Sequence, residues 1–363
     1  MIIEYLFYIA VGVQILYYGI LLMKIVFFRQ STKIDNNHHL PVSVVICARN
    51  EAENLQKNLP EILEQDYTEF EVIVVNDSSE DNSAIILEEL QLRYKHLKII
   101  DIPPGEKKIS GKKGALQKGI ESASHGYLLL TDADCFPSGN QWIKKTVDKF
   151  TPDTQLILGV APYENQGKFL HDIVDYETIT TLIQYIGFAI CGMPYMGVGR
   201  NIAYTRELYN KVGGFANHLH IASGDDDLFV QEAVKYTKAG VCLDSDAYMY
   251  SIPPETFPQW WRQKVRHYTT GASYNWVHQI LLGVFIMTKI FIYVIIVTNL
   301  TNITYLEAHV CYLLVLYFAL YVFCQKFMLK MKWYKIIALD AIYVGTILAQ
   351  GLQSKLFRKS SWK

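Results

Sequence analysis

The run YLLLTDADC, from Tyr127 to Cys135, ends in two carboxylates two residues apart, Asp132 and Asp134. Its first five residues are mostly apolar and read as a buried strand, so the carboxylates stand at a strand's C-terminal edge. Hard oxygen ligands in that position suit a divalent cation, and such a cation suits a diphosphate. The same pair also fits a solvated turn, so its company decides.

A second acidic cluster runs from Ser223 to Leu228 and contains Asp225, Asp226 and Asp227. Successive carboxylates repel one another, which raises the pKa of at least one and suits a general base. The residues that follow continue a helical pattern, so the cluster is expected at a helix N-terminus, where acidic residues are favoured. Lys112 and Lys113 come just before a helix that leads to the strand carrying Asp132. A cation there opposes the helix dipole, and an anionic ligand would explain it. Two further polar stretches follow apolar runs: Ala48-Arg49-Asn50-Glu51 and Asn76-Asp77-Ser78-Ser79. Their Asn and Ser residues suit helix caps, and Asp77 suits a base or ribose edge.

These stretches need elements to hold them. Val42–Cys47, Glu71–Val75, Lys98–Ile102 and Tyr127–Thr131 read as buried strands. Ala52–Glu64, Ser83–Tyr94 and Lys113–Ser122 read as the intervening helices. Such βαβα alternation predicts a mostly parallel sheet covered by helices, with ligands beyond the carboxyl ends of its strands.

The rest of the chain has another character. Of 363 residues, 51% are hydrophobic and 19% charged, against about 25% charged in a typical soluble domain. Residues 2–28 form an apolar segment long enough to cross roughly 30 Å of hydrocarbon. It lacks the basic start and small-residue cleavage site of a signal peptide. Lys24, Arg29 and Lys33 come at its end and after it, which places residue 29 onward in the cytoplasm by the positive-inside rule. Gln279–Asn299, His309–Met328 and Ile336–Leu352 are three further candidate spans. The last is followed by a basic tail, 354–363, and could instead be re-entrant or interfacial. Lys289 and Asp340 lie within spans, where an unpaired charge costs about 2.5–3.5 kcal/mol on insertion scales; contact between them is expected. Residues 256–278, with Trp260, Trp261 and several cations, read as an amphipathic interfacial segment. The net charge of −1 excludes a nucleic-acid binder that relies on a basic face. The six cysteines show no pairing rhythm and read as reduced thiols.

Taken in order, these motifs resemble the membrane-bound family 2 glycosyltransferases, a group with the GT-A fold that includes cellulose, chitin and hyaluronan synthases and many bacterial enzymes. The resemblance spans roughly residues 40–270. It implies an α/β GT-A catalytic domain over residues 40–255, flanked by a transmembrane helix at 1–28 and a transmembrane region at 279–353. It further implies nucleotide contact by Ala48, Asn50 and Glu51, nucleoside binding by Asp77, and metal and diphosphate binding by Asp132 and Asp134, with Mg²⁺ or Mn²⁺ as the ion. Lys113, before Ala115-Leu116-Gln117, matches the lysine preceding the family's Ala-Leu-Asn. Gly197 to Asn201 resembles the segment before the catalytic acid, which makes Gly199 and Asn201 acceptor-side candidates.

Two motifs depart from the family. Its Glu-Asp-x-Asp becomes Gly224-Asp225-Asp226-Asp227, so the base is Asp225, or Asp226 after a one-residue shift. Its Gln-x-x-Arg-Trp becomes Gln263-Lys264-Val265-Arg266-His267, which keeps the phosphate-contacting Arg266 and replaces the acceptor-side Trp with His267. The implied activity is metal-dependent, inverting transfer of a sugar from a nucleotide-sugar, a UDP-sugar foremost, to a lipid-linked or glycan acceptor among membrane lipids. The implied place is the bacterial inner membrane, with the catalytic domain in the cytoplasm. A non-catalytic scaffold or sugar-nucleotide sensor on the same domain is the alternative.

Overall fold

The computed structural model describes residues 2–29, 40–105, 111–221 and 223–356. Lys33 and the basic residues from Arg358 to Lys363 lie outside them. From the N-terminus, α1 (Ile2–Phe27) is followed by β1 (Val42–Ala48), α2 (Ala52–Leu63), β2 (Phe70–Asp77), α3 (Ser83–Arg93), β3 (Leu97–Ile102), α4 (Lys112–Ser122) and β4 (Tyr127–Asp132). Next come β5 (Cys135–Pro137), α5 (Trp142–Val147), β6 (Leu156–Gly159), α6 (Phe169–Ile190), β7 (Ile202–Thr205), α7 (Arg206–Val212) and α8 (Asp227–Ala233). Then follow β8 (Ala239–Cys242), β9 (Met249–Ser251), α9 (Phe257–His267), α10 (Trp276–Thr298), α11 (Ile303–Lys326) and α12 (Ile336–Leu356). They divide into two compact units, which are described separately.

The unit that holds most of the expected catalytic domain comprises the described parts of Gln30–Glu164 and Pro194–Ile252. Its sheet has the strand order β3-β2-β1-β4-β7-β6-β8. The first four strands pair in parallel, whereas β7 runs antiparallel to both β4 and β6. Every residue of β1 is buried, the pattern of a parallel strand covered on both faces. Register then aligns the strand ends: Ala48 lies beside Asn76, and Cys47 beside Asp132. Helix α4 packs on this sheet through Gly119, where an added Cβ would come within 2.6 Å of Val45 and 2.9 Å of Val75. Only the missing side chain lets the helix approach so closely. A small second sheet pairs β5 with β9, with Cys135 opposite Ser251.

The helical unit comprises the described parts of Met1–Arg29, Asn165–Met193 and Pro253–Arg358. The catalytic domain expected over 40–255 is therefore interrupted. Residues 169–190, for which the sequence suggests no element, form α6, a 22-residue helix whose side chains are mostly buried. It carries few charges and belongs with the other apolar helices. Among the described residues, four helices are long and apolar enough to cross a membrane: Ile2–Phe27, Trp276–Thr298, Ile303–Lys326 and Trp333–Ser354. The last has the lowest mean hydropathy, 1.4, yet is one continuous stretch of spanning length.

The expected intramembrane pair forms. Lys289 Nζ lies 2.5 Å from Asp340 Oδ1, and both side chains are almost wholly buried. Asp340 also accepts hydrogen bonds from the hydroxyls of Tyr176, Tyr293 and Tyr312. Lys289 donates to Tyr18 at 3.3 Å. The cluster joins α1, α6, α10, α11 and α12, and every polar atom in it finds a partner, as hydrocarbon demands. Near one end of α6, Asp172 is ion-paired with Lys332 at 2.9 Å and Lys335 at 2.5 Å. Farther along, Glu177 accepts from Trp260 and Lys264 of α9, each at 3.1 Å.

Candidate active site

Asp132 is the last residue of β4, so its carboxylate leaves the sheet at the carboxyl edge beside the end of β1. Ligand atoms of Asp132, Asp134 and Cys135 lie within 4.8 Å of one another. Burial, reinforced by the charge on Asp132, pushes the Asp134 carboxyl up from its ordinary value. Burial also drives the Cys135 thiol well up, and its sulfur is a soft donor beside two hard carboxylates. The two carboxylates alone are hard oxygen donors, a set that fits Mg²⁺ or Mn²⁺.

A single ammonium bridges the two acidic motifs. Lys112 Nζ lies 2.6 Å from Asp132 Oδ1 and 3.2 Å from Asp225 Oδ2. Burial opposes the charge on Lys112, but the two carboxylates outweigh it and hold the ammonium well above its usual pKa. Burial pushes the Asp225 carboxyl up, but Lys112, a backbone hydrogen bond and the charge of Lys113 together outweigh it, with a net lowering. Asp226 has the opposite fate. Burial and the charges of Asp225 and Asp227 raise its carboxyl to about 7. Its oxygens are committed to backbone: Oδ1 accepts the N–H of Asp227, capping α8, and Oδ2 accepts the N–H of Gly199, both at 2.8 Å. Three like charges in sequence are thus separated by their partners. Asp225 is kept ionised, and Asp226 is used as a cap.

The ends of β1 and β2 are laced together. Asn50, in left-handed backbone at φ 56°, accepts the N–H of Glu80 and donates its own N–H to Ser79 Oγ. Glu51 donates its N–H to Ser83 Oγ and accepts from Asn54. Ala48 and Asp77 are buried at the strand ends. These expected nucleotide-side residues therefore share one sheet edge with Asp132.

Two expected site residues are engaged elsewhere. The buried ammonium of Lys113 donates to the carbonyls of His218 and Ile221, at 2.7 and 2.9 Å. Lys112 reaches the carboxylates instead, because one residue turns the side-chain direction by about 100° on a helix. The side chain of Asn201 is taken up by the fold. It is 2% exposed, accepts from Trp142 Nε1 at 3.0 Å, and donates to the carbonyls of Val160 and Ala247, each at 2.9 Å. Its neighbour Gly199 does lie at the site, where an added Cβ would stand 3.4 Å from both Asp226 and Lys112. Gln263, Arg266 and His267 lie on α9, which belongs to the helical unit. Arg200, which the sequence did not single out, lies close enough to feel the charges of Asp132 and Asp134. Nothing in its spacing announces it.

Two family descriptions match the chain: Glycosyl transferase family 2 over residues 43–213 and Glycosyl transferase family group 2 over residues 129–324. Among curated relatives, a poly-beta-1,6-N-acetyl-D-glucosamine synthase of Staphylococcus epidermidis is 25% identical over 75% of this chain and 64% of its own length. Glycosyltransferase AglE of Haloferax volcanii is 31% identical over 56% of this chain and 63% of its own. The chain thus spans less than two thirds of either relative. Among solved structures, the mannosyltransferase PcManGT of Pyrobaculum calidifontis, in complex with GDP-Man and Mn²⁺, superposes with a TM-score of 0.62 at 17% identity, covering 99% of both chains. That likeness establishes a shared fold.

Proposed function

The chain belongs to glycosyl transferase family group 2, and from that membership we propose that it moves a sugar, with inversion, from a nucleotide-diphosphate donor to a hydroxyl of a membrane-associated lipid or glycan acceptor. The observation that carries this reading is the Lys112 bridge between Asp132 and Asp225. It brings a strand-end carboxylate pair suited to a metal diphosphate within one side chain of a carboxylate held in its basic form. The Mn²⁺ in the PcManGT complex supports a divalent ion at Asp132 and Asp134.

Asp225 is the general base. It removes the acceptor's proton as the acceptor oxygen forms its bond to the anomeric carbon and the bond from that carbon to the diphosphate breaks. Asp226, occupied by the N–H groups of Asp227 and Gly199, fixes the turn that presents Asp225. Lys112 holds Asp225 ionised and places positive charge beside the departing phosphates. A divalent cation, when bound by Asp132 and Asp134, supplies further charge neutralisation for the leaving group. In a poorly solvated site such charges act far more strongly than in water. The positive-inside pattern of Lys24, Arg29, Lys326, Lys330, Lys332 and Lys335 supports a cytoplasmic site with α10 to α12 spanning a cell membrane.

A panel of nucleotide-sugars assayed in membranes, with products identified by mass, tests the reading. Metal-dependent transfer from one donor is expected, and absence of transfer and of donor hydrolysis across the panel would overturn it.

A further inference from the structure

Arg200 lies between the two acidic motifs in the chain, one residue after Gly199, whose N–H is held by Asp226. The backbone carbonyl of Arg200 accepts the hydroxyl of Thr131, the residue before Asp132, at 2.8 Å. Its guanidinium carbon sits 4.1 Å over the ring of Tyr163. Nη1 donates to Ser251 Oγ at 2.8 Å, and Ser251 is wholly buried opposite Cys135. The guanidinium is therefore gripped on one face and at one nitrogen, on the side of the site that carries Asp134.

Two features of this grip point to a ligand. Asp134 and Asp132 act electrostatically on Arg200, yet among the described residues no carboxylate comes within ion-pair distance of it. Further, an arginine has five N–H donors in a planar fork, and the Ser251 bond occupies one. Stacking on Tyr163 uses the π face and leaves the in-plane donors available. A partly buried cation held in one orientation, with most of its donors unused, is built to receive an anion with paired oxygens.

We propose that Arg200 is a donor-binding residue whose in-plane N–H groups take up oxygens of the sugar-nucleotide diphosphate beside Asp132 and Asp134. The proposal rests on the nucleotide-sugar reading of that site. It assigns to the catalytic unit a leaving-group cation of its own, besides Lys112.

The test is calorimetric titration of the full-length protein in detergent with UDP and GDP, and with uridine and guanosine, in the presence of Mn²⁺. Arg200→Ala is expected to weaken the preferred nucleoside diphosphate by about 10- to 100-fold, the range of a lost charge-assisted hydrogen-bond pair, and to leave the nucleoside unchanged. Arg200→Lys, which keeps the charge but not the fork, recovers only part of the loss. Ser251→Ala, which retains the arginine and loosens it, gives a smaller loss in the same ligand and serves if Arg200→Ala does not fold. Equal loss for diphosphate and nucleoside, or no loss for either, would overturn the assignment. If the wild-type protein binds neither nucleoside diphosphate, the reading of the whole site fails first.

Discussion

Two lysine–carboxylate clusters, one in each unit, are built from similar residues and organised to opposite ends. In the helical unit Lys289 and Asp340 form one cation against one anion, with side-chain exposures of 2% and 0% and hydroxyls filling the remaining valences. In the catalytic unit one ammonium, Lys112, faces Asp132 and Asp225, whose side chains are 30% and 12% exposed. Asp134, Asp226 and Asp227 stand nearby. The first cluster is balanced and complete, as a buried charge must be to persist in hydrocarbon. The second gathers five carboxyl groups around Lys112, Lys113 and Arg200 and leaves Asp132 partly exposed. Completeness marks the structural cluster, and imbalance marks the chemical one.

The largest expected effects probe the two clusters with different readouts. Asp225→Asn should lower turnover by about 10²–10⁴, as loss of a general base does, in a protein that still folds. Asp226→Asn should do far less to turnover, and the reverse ranking in steady-state kinetics would exchange their roles. In the helical unit, Asp340→Ala strands Lys289 and should cost roughly 3–5 kcal/mol, measured by unfolding in detergent. Adding Lys289→Ala should return part of that loss. Strict additivity of the two would break the contrast, because the pair would then not be acting as one.

A subtler test uses pH. The Asp226 carboxyl has an ordinary value of 3.8 and rises to about 7 in the fold. The native state therefore binds more protons than the unfolded chain between those values, and stability falls as pH rises through them. Asp225, whose folded pKa is lowered, acts with the opposite sign; its contribution is present above its unfolded pKa and lost as pH falls. The melting temperature of Asp226→Asn relative to wild type should thus rise from pH 4 to pH 8, set against a constant loss from the one backbone N–H that its amide cannot accept. A gap independent of pH would mean that Asp226 is ionised throughout. The smallest effect belongs to Gln14, which donates to the Phe285 carbonyl at 2.7 Å and to Thr288 at 2.9 Å. Gln14→Leu should cost on the order of 0.6 kcal/mol, the average for interhelical hydrogen bonds in membranes.

Much of this was legible in the chain because it is local. The strands ending at Ala48, Asp77 and Asp132 follow from short apolar runs, and register alone brings their ends together. The Lys289–Asp340 contact followed from the cost of isolated charge in an apolar segment. What was not legible is non-local or depends on angle. Lys112 and Lys113 are chemically identical neighbours, and only the helix phase sends one to carboxylates and the other to carbonyls. Asn201 looks like any polar residue near a site until Trp142, Val160 and Ala247 are found to occupy its amide. Strand β7 enters the sheet between β4 and β6 against the direction of β4, a placement that no periodicity encodes. The choice between Asp225 and Asp226 rested on partners, Lys112 for one and backbone N–H groups for the other.

Helix α6 has a practical consequence for handling this enzyme. The chain leaves the catalytic unit after Glu164 and re-enters it at Pro194, and the detour gives Asp172, Tyr176 and Glu177 to partners in the helical unit. Trimming both termini would leave those side chains, and the apolar surface around them, exposed to solvent. A water-soluble catalytic fragment therefore has to be made by excision from the middle of the gene as well as its ends, with a short linker closing the gap.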